Sequence, residues 1–188
     1  MKIDIYPHIL PSKYRKALYQ VATSPRLEET IEASPGLFDL DVRFRILDKY
    51  DCVQVLTLAS PPVEAVAELK GAAELASIAN DEMAELVSKY PDRFVAAVAA
   101  LPMNDMNAAL READRAINDL KFRGAQICSS IEGKPLDSPE FFPLYEKMVS
   151  YNLPIWIHPA RGISTPDYPG EKISKYQIWS IFGWPYET

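Results

Sequence analysis

Cysteine and histidine are the scarcest chemistry-bearing residues of this sequence, two of each among 188. Cys52 and Cys128 stand far apart, each inside an apolar run, so two reduced, buried thiols are expected rather than a disulfide or a zinc-thiolate centre. No apolar stretch approaches the roughly 18 residues that a membrane span requires. Met1 is followed at once by a charged residue and a short strand-like run, which gives the expectation of a cytoplasmic protein with no membrane partner. Positive charge is in deficit, 20 Lys and Arg against 26 Asp and Glu, for a net charge of -6. That balance supplies no basic face for phosphates and argues against nucleic acid. An anionic substrate would need local positive charge or a metal ion. Phosphate-cradling glycine loops and nucleophile elbows are also missing.

What is present is a chain 48% hydrophobic and 24% charged, as in a globular protein with one sizeable core; a single domain over 1–188 is expected. Short apolar runs alternate with amphipathic segments, the pattern of an α/β fold in which helices wrap a parallel sheet. The runs are Lys2 to Tyr6, Cys52 to Leu58, Phe94 to Leu101, Ala125 to Cys128 and Pro154 to Ile157, each near-continuously apolar as strands buried on both faces should be. Between the last three, helices are predicted over 107–121, with Asp105 as cap and Leu110, Ala113, Ile117 and Leu120 inward, and over 138–151. In the latter Ser138 is the candidate cap, Pro139 the first helical residue, and Phe141, Tyr145 and Met148 the buried stripe. Segment 64–90 carries Leu69, Ala73, Ala76, Met83, Val87 and Tyr90 at helical spacing, with a break expected at Asn80-Asp81. Segment 11–40, polar and proline-punctuated, reads as an insertion between the first two strands. A short helix is predicted over 173–181.

Both histidines fall at the carboxyl end of a predicted parallel strand, His8 after the first and His158 after the fifth. Loops at those ends build the active sites of parallel βα folds, and imidazole is the commonest metal ligand. Strand alternation places Asp4, Tyr6 and His8 on one face and Trp156 and His158 on one face of another strand. If those faces point into a barrel, both rings meet at one ion; two histidines hydrogen-bonded at strand ends is the competing account. Arg161, three residues beyond His158, has the chemistry to clamp a carboxylate, and equally that of a solvated loop arginine. Trp156, Cys128 and Gln126 either line a pocket or fill the core. Trp179, Phe182, Trp184 and Tyr186 form an aromatic cluster suited to packing or an interface.

The run Ile3-Asp4-Ile5-Tyr6-Pro7-His8-Ile9-Leu10-Pro11 resembles the first-strand metal motif of the amidohydrolase superfamily. Further segments, Ala79-Asn80-Asp81-Glu82, Tyr90-Pro91-Asp92-Arg93-Phe94, Gly124-Ala125-Gln126-Ile127, Gly133-Lys134-Pro135-Leu136-Asp137, Leu153 to Pro159 and Gly183 to Thr188, resemble its aminocarboxymuconate-semialdehyde and γ-resorcylate decarboxylase branch. The resemblance implies a TIM-type (β/α)₈ barrel, of which 188 residues hold about the first five βα units, a barrel typically taking about 250 residues. It implies a divalent metal ion, zinc or manganese, on His8 and His158, and a small-molecule carboxylic acid as substrate, with Arg161 and Trp156 as substrate-binding candidates. Tyr6 departs from the pattern, standing where the family has a histidine or glutamate. The implied activity is non-oxidative decarboxylation of an aromatic or unsaturated acid. The alternatives are hydrolysis of a lactone or amide, and an inactive fragment or half of a split enzyme. Exposed strand edges lead to the expectation of a homo-oligomer or of a partner chain that completes the barrel.

Overall fold

A computed structural model describes residues 1–22 and 25–188. Seven strand segments form a curved, all-parallel arc with five staves: β1 (Lys2–Asp4) with β2 (His8–Ile9), then β3 (Cys52–Leu58), then β4 (Phe94–Ala97) with β5 (Ala99–Ala100), then β6 (Ala125–Cys128) and finally β9 (Ile155–His158). A small antiparallel hairpin, β7 (Ser130–Ile131) and β8 (Lys134–Pro135), follows β6. The expected partial (β/α) barrel is therefore present, with helices between its staves.

Two of the five apolar runs are broken, and each break has a cause. The first stave stops at Asp4 and resumes at His8, because Tyr6 gives its amide to Asp4 Oδ1 at 3.2 Å and Pro7 has none to give. The third stave breaks at Val98, where pairing passes from one neighbour to the other: Val98 donates to Leu56 and Ala99 to Gly124. The fifth stave runs from Ile155 to His158, one residue later than expected, since Pro154 cannot donate and only its carbonyl is used, by Ala125.

Helices α3 (Leu40–Tyr50), α5 (Leu69–Lys89), α6 (Met106–Asn118) and α7 (Phe142–Tyr151) cover the outside of the arc. Asp105 caps α6 as expected, accepting from Ala108 at 3.0 Å. Alanines 108, 109, 113 and 116 take its sheet-facing side, so Leu110 and Ile117 are only partly buried. Ser138 makes no side-chain cap; Pro139 opens a 3₁₀ turn and the α-helix starts at Phe142. No break occurs at Asn80-Asp81. The helical segment is interrupted earlier, between α4 (Val63–Val66) and α5. Asn80 is fully buried, and its amide grips both backbone groups of Ala100, each at 2.9 Å. A residue that favours helix ends in isolation is here the rivet between helix and sheet.

Between β2 and α3 lie α1 (Ser12–Val21), α2 (Pro25–Glu32) and a 3₁₀ turn at Pro35–Leu37; residues 23 and 24 of the expected insertion lie outside the described residues. Glu82 of α5 caps α1 through the amides of Lys13 and Tyr14. The helix predicted over 173–181 does not form over 173–177. The Asp167 carboxylate captures the amides of Lys175, Tyr176 and Ile178, and Gln177 adopts φ 57°. A π-helical turn (Trp179–Gly183) and α8 (Trp184–Glu187) follow instead. At the two ends of the arc, Ile3, Ile5 and Ile157 stay uncovered, 45–57% exposed. Among the described residues no helix is long and apolar enough to cross a membrane.

Asn80→Leu is expected to lower stability by about 2–4 kcal/mol, because two buried backbone groups of Ala100 lose their partners. Chemical denaturation measures this, with helix content unchanged in the folded variant.

Candidate active site at the carboxyl ends of the strands

The structure brings Tyr6, His8 and His158 together. Ring centres of His8 and His158 lie 4.9 Å apart, with Tyr6 5.1 Å from His8 and 6.1 Å from His158. Two imidazoles sharing one cation at ~2.1 Å per nitrogen place their ring centres about 5 Å apart. The first stave delivers His8 because the break at residues 5–7 turns its ring onto β3, where Nδ1 lies 3.0 Å from Thr57 Oγ1. Thr57 spends its hydroxyl proton on the Pro7 carbonyl at 2.7 Å, so it accepts from His8 Nδ1–H. His158, 6% exposed, holds Nδ1 2.8 Å from the Pro159 carbonyl, which fixes its proton on Nδ1 too. The lone pair of each ring is thus on Nε2, and Nε2 of His158 lies 3.4 Å from Ser60 Oγ.

Burial, then the proximity of His158, lowers His8 to about 4, and burial likewise lowers His158. Both rings are neutral at pH 7, the state that binds a cation. This chemistry fits a divalent ion. Among the described residues no group of three or more His, Cys, Asp and Glu side chains could hold a metal, so the chain offers a pair. Tyr6 does not extend it: burial pushes its phenol up to about 12, and its hydroxyl donates to the Ile157 carbonyl at 2.8 Å.

Trp156 works beside it. Its indole donates to the Ile5 carbonyl at 2.8 Å, so two side-chain bonds tie the first stave to the fifth. The ring packs over Gly124, where a Cβ would come within 2.6 Å of the Pro154 carbonyl and inside the indole itself. Arg161 is not a free loop cation. It pairs with Glu187 at 2.7 Å, whose carboxylate also accepts from Ser129 Oγ and the amides of Ala160 and Arg161. This clip seats the aromatic segment over the strand ends, with Trp184 donating to the Arg161 carbonyl.

A cleft of ≈620 Å³ opens there, walled by Ser60, Glu64, Arg161, Ile163, Trp179 and Trp184. Ser60 Oγ stands 3.4 Å from His158, which links cleft and imidazoles. Glu64, absent from the sequence candidates, is shared by this cleft and a smaller pocket of ≈20 Å³ that also touches Gln126 and Cys128. Among the described residues no cation pairs with it, and burial, helped by Glu132, pushes it up to about 7. Nothing in the sequence separates Glu64 from a solvated helix-start glutamate. Cys128 is pushed up to about 12, chiefly by burial, and stays a thiol.

Because Glu64 titrates higher folded than unfolded, the stability it permits at low pH is lost as pH rises from about 4.5 through 7. Glu64→Gln is therefore expected to stabilise the protein by about 1–3 kcal/mol at pH 8 and to change little at pH 5. Thermal melts at the two pH values report the difference.

The amidohydrolase family profile matches residues 47–187. Over 140 residues the chain is 38% identical to γ-resorcylate decarboxylase of Rhizobium radiobacter, covering 70% of this chain and 42% of that one. Over 205 residues it is 29% identical to 2-amino-3-carboxymuconate-6-semialdehyde decarboxylase of Dictyostelium discoideum, covering 100% of this chain and 55% of that one. A dihydroxybenzoic acid decarboxylase from a Polaromonas species, solved with bound manganese and the inhibitor 2-nitroresorcinol, superposes with a TM-score of 0.69 at 30% identity, over 86% of this chain and 50% of that one. The chain spans about half the length of the curated relatives it matches. It belongs to the amidohydrolase family.

Proposed function

We propose that this chain forms part of a metal-dependent, non-oxidative decarboxylase acting on an aromatic or unsaturated carboxylic acid. The observation that carries this is the meeting of the His8 and His158 rings, 4.9 Å apart, each with its lone pair on Nε2, in a chain similar to decarboxylases that include a manganese-bound one. In this reading His8 and His158 hold a divalent ion, manganese or zinc. When bound, such an ion supplies Lewis-acid charge stabilisation and orients a substrate carboxylate.

The remaining residues shape the site. Tyr6, neutral and bonded to the fifth stave, fills a ligand's place without charge. Trp156 keeps the strand ends closed beneath the ion, and Arg161, oriented by Glu187, presents its guanidinium to the cleft, where a carboxylate would be met. Trp179 and Trp184 offer faces for an unsaturated acid. Residues 1–188 make one barrel domain with 11–40 inserted, working in the cytoplasm, where Cys52 and Cys128 stay unpaired. The uncovered Ile3, Ile5 and Ile157 mark where further βα units would seat, whether from a longer chain, a second copy or a partner chain.

Metal analysis after dialysis against Mn²⁺ or Zn²⁺ is expected to find bound ion in the wild-type chain and at least a 10-fold weaker affinity in His8→Ala and His158→Ala. Less than about 0.1 ion per chain would overturn the reading. Release of CO₂ from 2,6-dihydroxybenzoate, with the barrel complete, separates decarboxylation from hydrolysis on the same ion. Light scattering of the chain alone is expected to show species larger than 21.2 kDa; a cooperative monomer would remove the case for completion.

A further inference from the structure

We infer that Arg43 is a positioning residue for the imidazole pair, a buried guanidinium that fixes the backbone from which His8 projects. The inference rests on His8 and His158 being ligands of one divalent ion.

Arg43 sits on α3, 6% exposed. It donates to Gln54 Oε1 at 2.6 Å, to the Gly36 carbonyl at 2.8 Å and to the carbonyl of His8 itself. Gln54 then turns its amide to Asp4 Oδ2 at 3.1 Å, and the other oxygen of Asp4 accepts from the Tyr6 amide at 3.2 Å. One network therefore holds both flanks of the break in the first stave. Asp4 and Tyr6 are fixed on one side and His8 on the other. Between them, the Pro7 carbonyl is held by the amide and hydroxyl of Thr57.

Space-filling does not account for an arginine there. Burying a cation strips it of water at a high cost in free energy. Among the described residues no carboxylate forms an ion pair with Arg43, and its Nε is buried without a hydrogen-bond partner. An apolar side chain would pack at lower cost. What it could not do is donate to three acceptors on three separate segments at once, which the planar fork of arginine does and the single ammonium of lysine does only in part. The network acts on the His8 backbone, while Thr57 sets the ring. Ligand geometry held within about 0.5 Å is what separates tight from weak metal sites.

The test is titration of the chelator-treated chain with Co²⁺ or Mn²⁺ alone, in wild type, Arg43→Met, Arg43→Lys, Gln54→Leu and Asn80→Leu, with folding followed by circular dichroism. Arg43→Met is expected to weaken metal binding at least 10-fold while folded, Arg43→Lys to recover part of the loss, and Gln54→Leu to show an intermediate loss. Asn80→Leu, destabilised far from the imidazoles, is expected to bind as wild type does. If Arg43→Met is folded and binds within 2-fold of wild type, the inference is overturned; the same holds if Asn80→Leu loses as much affinity. Should Arg43→Met fail to fold, unchanged affinity in Gln54→Leu would overturn it. A wild-type chain that binds neither ion removes the ligand reading and this inference with it, a different signature from equal binding in all variants.

Discussion

The site depends on a proline that cannot donate. Pro7 has no amide for the ladder, and its carbonyl takes both the amide of Thr57, the first ladder bond of the resumed stave, and the Thr57 hydroxyl. That one acceptor turns the Thr57 hydroxyl so that it receives His8 Nδ1–H, and so decides which nitrogen of His8 is open. The break also frees the Tyr6 phenol to reach the fifth stave. An unbroken strand would have alternated Asp4, Tyr6 and His8 along one face. The broken one points Asp4 at Gln54 and the Tyr6 and His8 rings at His158.

Below the mouth, the fold is held by polar groups that reach between layers. Asn80 joins α5 to the third stave, Glu82 joins α5 to the start of α1, and Arg43 joins α3 to the first and second staves. Each is buried, and each hydrogen-bonds backbone groups of a different element. Such bonds add little net stability when made but cost much when one partner is lost. Apolar packing supplies the bulk of the core, while these residues set the register of helices against staves.

The five staves were legible because a strand buried on both faces is written as a continuous apolar run, and the Asp105 cap because capping is a local pattern. His8 and His158 stood out by scarcity and by their position at strand ends. The break at Tyr6-Pro7 rests on the nearby Asp4 carboxylate and a proline, whereas that at Val98 was not legible, since it follows from partners on other strands. Asn80 misled for the same reason: its preference for helix ends was overridden by an Ala100 backbone twenty residues away. Glu64, Arg43 and Glu187 carry ordinary local signals. Their roles come from burial and from donors brought up by the fold, which no spacing encodes.

The two imidazoles are held in unlike ways. His158 has its tautomer set by the carbonyl of the very next residue, so wherever the fifth stave forms, that ring is ready. His8 depends on Thr57, 49 positions away, and on Arg43, 35 away. Sequence drift in helix α3 or strand β3 can therefore reach one half of the pair and leave the other untouched. The chain has one half that arrives with its own strand and one that must be assembled, and the assembled half is where tuning or decay of the site would begin.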